Sequence, residues 1–252
     1  MELKTIFMTV IIIVLLVVVV KYAMKDANTL TDVADGKTTQ TIEASKLASS
    51  SSSNSASNFS YSIWFYIDDW NYRYGEPKVI FGRMTANNTE PCPSVSLGAI
   101  QNNLLVALAV YPGTDTTSTS TSTSSTANAN SVSKTIHTCN VSNVPIQKWT
   151  NLIVSAYGRS LDIYIDGKLV KTCVLPGVAY IDSSAPIYVT PNGGFAGWTS
   201  KFKYFSESCD PQKAWNIYQE GFGGSLLGNT FGSYSVKVSV MNGQTEQSSY
   251  TI

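Results

Sequence analysis

The sequence predicts an all-β sandwich of short antiparallel strands with one short helix, preceded by an N-terminal transmembrane helix. Three observations carry this. After Asn58 the apolar residues recur with period two in many short runs, and turn residues separate those runs. Upstream, the sixteen residues from Thr5 to Val20 hold no charge and are bracketed by Lys4 and Lys21.

The apolar run comes first. Tyr22, Ala23 and Met24 extend it to about twenty residues if Lys21 snorkels, enough for the roughly 30 Å of a bilayer core. No small-residue cleavage pattern follows it, and a run apolar all round has no polar face for a soluble helix. Residues 1–24 are therefore expected to form an uncleaved anchor, with membrane lipid as the partner of residues 5–24. Charges on its two flanks are too balanced to orient it. Residues 25–57 are polar and end in the Ser-rich stretch Ala48 to Ser57, which has the composition of a flexible tether.

The β domain is expected over 58–252. Strands are read at 59–67, 78–83, 95–100, 104–111, 135–141, 149–157, 161–165, 169–174, 187–190 and 198–205. Asp166-Gly167 lies between two of them and is a two-residue hairpin signal, because both positions of such a turn need φ > 0. One helix is expected after Asp210, which can cap free amides; Pro211 suits the first helical position and Gly221 the end. Ala214, Trp215 and Tyr218 would then face the sandwich. The Ser/Thr-rich insertion 114–133 has almost no apolar side chains and reads as a solvated loop or a mucin-like glycosylated patch. Residues 234–252, with Asn242-Gly243 at their middle, predict a C-terminal hairpin.

These residues carry a resemblance. Phe59 to Ile67, Trp149 to Val154 and Leu161 to Val170, with its YxDGKLV hairpin, resemble the concanavalin A-like, laminin G-like jelly roll over roughly 58–221. Segments 144–149, 172–177, 188–195 and 211–218 resemble more narrowly a lineage encoded by large nucleocytoplasmic DNA viruses, whose members join an N-terminal anchor, a tether and one such domain. That resemblance implies a minor capsid or virion membrane protein, located where an internal membrane meets the capsid shell. Its implied partners are the major capsid protein and other minor capsid proteins.

Composition narrows the chemistry. Lys plus Arg and Asp plus Glu number 17 each, so the formal net charge is +0, and no long basic run favours nucleic acid. Only 13% of residues are charged; 33 Ser, 25 Thr and 17 Asn fill the gap. A domain so poor in charge reads as one built for standing contacts, since charge serves the solubility of free monomers. The single histidine, His137, argues against a His-based zinc site or a His-relay hydrolase. His137 and Cys139 would share a strand face, but no acid is placed to orient them. None of the seven Glu begins the Glu-x-Asp-x-x-Glu pattern by which glycosidases of this fold class flank a sugar bond. Asp162 and Asp166 share a face, but the second belongs to a turn. Asp68-Asp69 lacks the further oxygen ligands that Ca²⁺ wants. No catalytic residues, metal ligands or cofactor are therefore expected, and the chain reads as non-enzymatic.

The surface singled out for binding is the loop Trp70, Tyr72, Arg73 and Tyr74, whose rings could anchor a protein or stack on sugars; Trp70 could instead fold back over the core. A membrane-anchored, lectin-like adhesion protein is accordingly the alternative function, with a glycan as partner. Cys92, Cys139, Cys173 and Cys209 allow three pairings, and without a C-x-x-C motif zinc is disfavoured. Assembly in a cytosol would leave at least some of them reduced. Three N-glycosylation sequons, at Asn58, Asn87 and Asn140, are no more than the roughly four that chance predicts.

Overall fold

The structure is a computed structural model. It describes residues 28–47, 58–84, 90–112, 134–223, 237–242 and 245–251, together with Met8, Ile12, Leu15 and Leu16. Two compact units are distinguished, one running from Asp26 to Phe222 and the other comprising Met1–Lys25 and Gly223–Ile252.

The first unit is a β-sandwich. Its strands are β1 (Ala34–Asp35), β2 (Gln40–Ile42), β3 (Phe59–Asp69), β4 (Lys78–Met84), β5 (Pro91–Leu97), β6 (Asn103–Val110) and β7 (Thr135–Ser142). There follow β8 (Thr150–Tyr157), β9 (Ser160–Ile165), β10 (Lys168–Val174), β11 (Ile187–Val189) and β12 (Ala196–Phe205), then helix α1 (Pro211–Gln219). Two six-stranded antiparallel sheets result: sheet A, in the order β1-β12-β3-β8-β9-β10, and sheet B, in the order β2-β11-β4-β5-β6-β7.

Period two explains the core. Tyr61, Ile63, Phe65 and Ile67 alternate along β3 and point between the sheets, where they join Phe81, Val95, Leu104, Val106, Leu152, Val154, Ile163 and Phe202. Rings of Tyr61, Phe81 and Phe202 meet with centroids 5.1–5.9 Å apart, joining both sheets. The insertion lies outside the described residues; it connects two strands, β6 and β7, that pair in register from Asn103↔Ser142 to Val110↔Thr135.

Three features differ from the sequence reading. The polar stretch assigned to a tether supplies β1 and β2, which pair with β12 and β11 at one edge of each sheet, so the sandwich starts well before Asn58. Strands of two or three residues contain no period to read. Second, α1 has the expected cap, with Lys213 N–H donating to Asp210 Oδ1 at 2.7 Å, and Ala214 and Tyr218 face sheet A as expected, but Ile217 is buried with Ala214 while Trp215 is 39% exposed. Third, the cysteine pairing left open is resolved. Cys139 on β7 and Cys173 on β10 form a disulfide with Cα atoms 6.2 Å apart, whereas Cys92 and Cys209 are buried thiols.

In the second unit β13 (Lys237–Asn242) and β14 (Thr245–Thr251) pair as the expected hairpin. The expected membrane segment lies outside the described residues except for Met8, Ile12, Leu15 and Leu16, which are helical and exposed. Among the described residues no helix is long and apolar enough to cross a membrane.

Candidate binding face

On the phase of β3 that points away from the core, Ser60 and Ser62 are followed by two residues as large as those that point in. Trp64 and Tyr66 alternate with Ile63, Phe65 and Ile67, so the outer face of sheet A is also covered. Helix α1 covers part of it. Ala214 and Ile217 pack on Ile153, Tyr164 and Cys209, and Cys209 N–H donates to Ser155 Oγ at 2.8 Å. The Asp166-Gly167 turn lets the helix close: φ is 50° and 72°, and a Cβ on Gly167 would stand 3.0 Å from the Trp215 ring. Asp166 is held by Lys148 Nζ at 2.8 Å and by Asn151 N–H at 2.9 Å, which binds the hairpin to β8.

Beyond α1 the rings form a continuous array. Trp215 meets Tyr218 at 5.4 Å; Tyr218 stacks on Trp64 at 5.6 Å; Trp64 meets Phe222 at 5.9 Å. Phe222 stacks face to face on Trp149 at 4.5 Å and 8°, and Trp149 meets Tyr66 at 5.8 Å. Phe222 is held from behind, its carbonyl accepting from Ser200 Oγ at 2.7 Å. Tyr66 pairs across the strands with Trp198, and Trp198 pairs in turn with Asp35. Four of the five tryptophans thus belong to one face.

The array grades from buried to open. Trp64 is 5% exposed, Trp215 39%, Phe222 40% and Trp198 47%. Gly197 has a part in presenting Trp198. The β12–β3 register shifts between Ala196 and Gly197, and a Cβ on Gly197 would lie 1.9 Å from the Tyr66 carbonyl oxygen, so only glycine allows this bulge. Two exposed carboxylates lie near the open end of the array along the strands: Asp35, which pairs across from Trp198 and whose Oδ1 accepts from Lys37 N–H at 2.8 Å, and Asp68, the residue of β3 that the bulge leaves unpaired. A flat indole flanked by carboxylates can take a ring that is apolar on one face and bears hydroxyls on its edge.

The loop chosen from sequence is used differently. Trp70 folds back against the core, with Lys78 Nζ 4.7 Å from its ring centroid; that buried ammonium has no hydrogen-bond partner, and burial lowers its pKa. Tyr72 OH donates to the Gly193 carbonyl at 3.1 Å and packs under Lys37. Arg73 donates to the Asn192 carbonyl and pairs with Glu76 at 2.7 Å. Only Tyr74, 59% exposed, projects. Carboxylates weighed from sequence are occupied too: Asp162, weighed for catalysis, accepts from Thr172 Oγ1 at 2.6 Å, and Asp69, weighed for Ca²⁺, accepts from Asn71 N–H at 2.8 Å in an Asx turn. Cys139 has no thiol to pair with His137. Among the described residues no group of three or more His, Cys, Asp or Glu could hold a metal.

Sequence reading passed over Trp149, Trp198 and Phe222 as binding residues, since they come from distant segments. The available signal was in β3 itself, where Trp64 and Tyr66 put two large rings on the phase opposite Ile63, Phe65 and Ile67.

No protein-family model and no curated protein matches the chain. Among solved structures it is similar to an HCR/D point mutant at 13% identity and TM-score 0.48, over 76% of this chain and 43% of that one. It is similar to a structure of botulinum neurotoxin type C, whose cell entry is described as dependent upon interaction with two ganglioside molecules, at 21% identity and TM-score 0.45, over 65% and 36%. The binding domain of botulinum neurotoxin DC in complex with SialylT gives 20% and 0.46, over 65% and 35%. The chain spans less than half the length of each of these structures. So distant a likeness adds nothing to the sandwich architecture that the two sheets already define.

Proposed function

We propose that this chain is a non-enzymatic binding module, held at a membrane by residues 5–24, that takes carbohydrate on the outer face of sheet A. The observation that carries this reading is Trp198: a residue type usually well buried stands 47% exposed on a rigid strand, between Tyr66 and Asp35. The C–H face of a pyranose stacks on the indole, and the sugar's hydroxyls donate to Asp35 and Asp68 in charge-assisted hydrogen bonds. The platform is preformed, because Trp198 stands on a strand paired on both sides and Tyr66 rests on the Trp149–Phe222 stack, so little ordering entropy opposes binding. A single sugar gains little from one ring. Many copies displayed on one membrane convert that weak contact into avidity.

The second reading is a minor capsid protein that links a virion's internal membrane to its shell. It is favoured by the resemblance in segments 144–149, 172–177, 188–195 and 211–218 and by the low charge. Of the resembling residues, Tyr218 stacks on Trp64 and so packs α1 on sheet A, and Trp149 stacks on Phe222 beyond the helix, so part of that likeness follows from the fold. A capsid contact would use the same exposed rings. The two readings separate on a broad glycan array probed with the full chain in detergent at high surface density. Binding to a glycan class, lost in Trp198→Ala, supports carbohydrate. A folded protein that leaves the whole array silent at millimolar sensitivity contradicts it and returns the face to a protein partner.

A further inference from the structure

The three sequons are alike in sequence but not in structure. At Asn58 the side chain is half-buried, its carbonyl accepting from Gly158 N–H at 3.0 Å, and the sequon hydroxyl of Ser60 is fully buried and donates to the Glu207 carbonyl at 2.8 Å. Asn87 lies outside the described residues. At Asn140-Val141-Ser142 both polar side chains are exposed, while Val141 points inward to the core. These residues are on β7, the outermost strand of sheet B, and Asn140 borders an open recess of ≈ 310 Å³ between Ser142, Asn143, Pro145, Val170 and Lys171.

The neighbouring residue supplies a second, independent observation. Cys139 is bonded to Cys173, which ties the last strand of sheet B to the last strand of sheet A. Such a bond forms and persists in an oxidising compartment, and the secretory lumen is also where sequons are modified. We propose that Asn140 is an N-glycosylation site. Transfer requires a polyisoprenyl diphosphate-linked oligosaccharide as donor. The bond from the sugar's C1 to the diphosphate oxygen breaks, a bond from C1 to Asn140 Nδ2 forms, the diphospholipid leaves, and Nδ2 gives up one proton.

Because transfer precedes folding, the folded chain must tolerate the product. Asn140 does so, with the first sugar lying over the recess and the remainder in solvent. Asn140 belongs to sheet B and Trp198 to sheet A, so the glycan leaves the aromatic face open. The inference does not rest on the carbohydrate-binding reading. If residues 5–24 span the bilayer, it also places Met1 to Lys4 on the cytosolic side.

The test expresses the full chain in a eukaryotic secretory host and compares mobility before and after peptide-N-glycosidase. The comparison is made in an Asn87→Gln background, where a shift of one glycan is expected, lost on adding either Asn140→Gln or Ser142→Ala and retained on adding Asn58→Gln. A shift that persists on adding Asn140→Gln overturns the proposal. So does an unshifted Asn87→Gln chain, whether Cys139–Cys173 is oxidised, meaning the transferase passes Asn140 over, or reduced, meaning the domain never faces the lumen.

Discussion

The molecule has two aromatic regions, and they use their rings in opposite ways. The 70–74 loop is contiguous in sequence and looks like a binding surface, yet Trp70 caps the core over Lys78 and Tyr72 and Arg73 hold the turn around Gly193. The outer face of sheet A is assembled from β3, β8, β12 and α1, and its rings grade from the buried Trp64 to the open Trp198. Clustering along the chain here reflects local folding, whereas convergence from distant strands yields a displayed surface. A loop must satisfy its own backbone and close over the core; a strand already hydrogen-bonded on both sides can present a side chain at little cost.

The sharpest way to break this comparison is at its buried end. Trp64→Ala removes the ring on which Tyr218 and Phe222 rest, so it should destabilise the sandwich by about 3–5 kcal/mol. Urea unfolding measures this, and a loss below about 1 kcal/mol would mean that the array is not a packed unit.

A second, smaller effect comes from the thiols, one of them under α1. Burial pushes Cys209, and likewise Cys92 within sheet B, up to about 11 from the ordinary 9.0. The folded chain keeps these protons where the unfolded chain has released them. Their contribution to stability is therefore whole below pH 9 and is lost as pH rises toward 11. The urea midpoint should fall between pH 8.5 and 10.5, and the Cys92→Ala/Cys209→Ala chain should show a shallower fall; equal slopes would place the thiols in contact with solvent.

How much of this was legible depended on range. The Asp166-Gly167 hairpin, the Asp210 cap and most strands rest on neighbours in sequence, and they were readable. The edge strands β1 and β2 were not, being too short to show a period and lying in a polar stretch. The Cys139–Cys173 bond depends on β7 and β10 becoming the outer strands on one side of the sandwich, which spacing along the chain does not encode. The binding face was illegible for the same reason: Asp35, Tyr66, Trp149 and Trp198 become neighbours only through the strand order. Even so, β3 gave notice of it, with large residues on both phases.

The smallest expected change in stability belongs to the most direct test. Trp198→Ala should alter unfolding free energy by no more than about 0.5 kcal/mol, because the ring is open to solvent, whereas Trp70→Ala should cost about 1–2 kcal/mol by uncovering Lys78. Binding should run the other way. Titrating each full-length variant with the best glycan ligand, followed by tryptophan fluorescence, should show at least tenfold weaker binding for Trp198→Ala and unchanged binding for Trp70→Ala. Undiminished binding by Trp198→Ala, with binding lost in Trp70→Ala, would contradict the account and move the site to the loop.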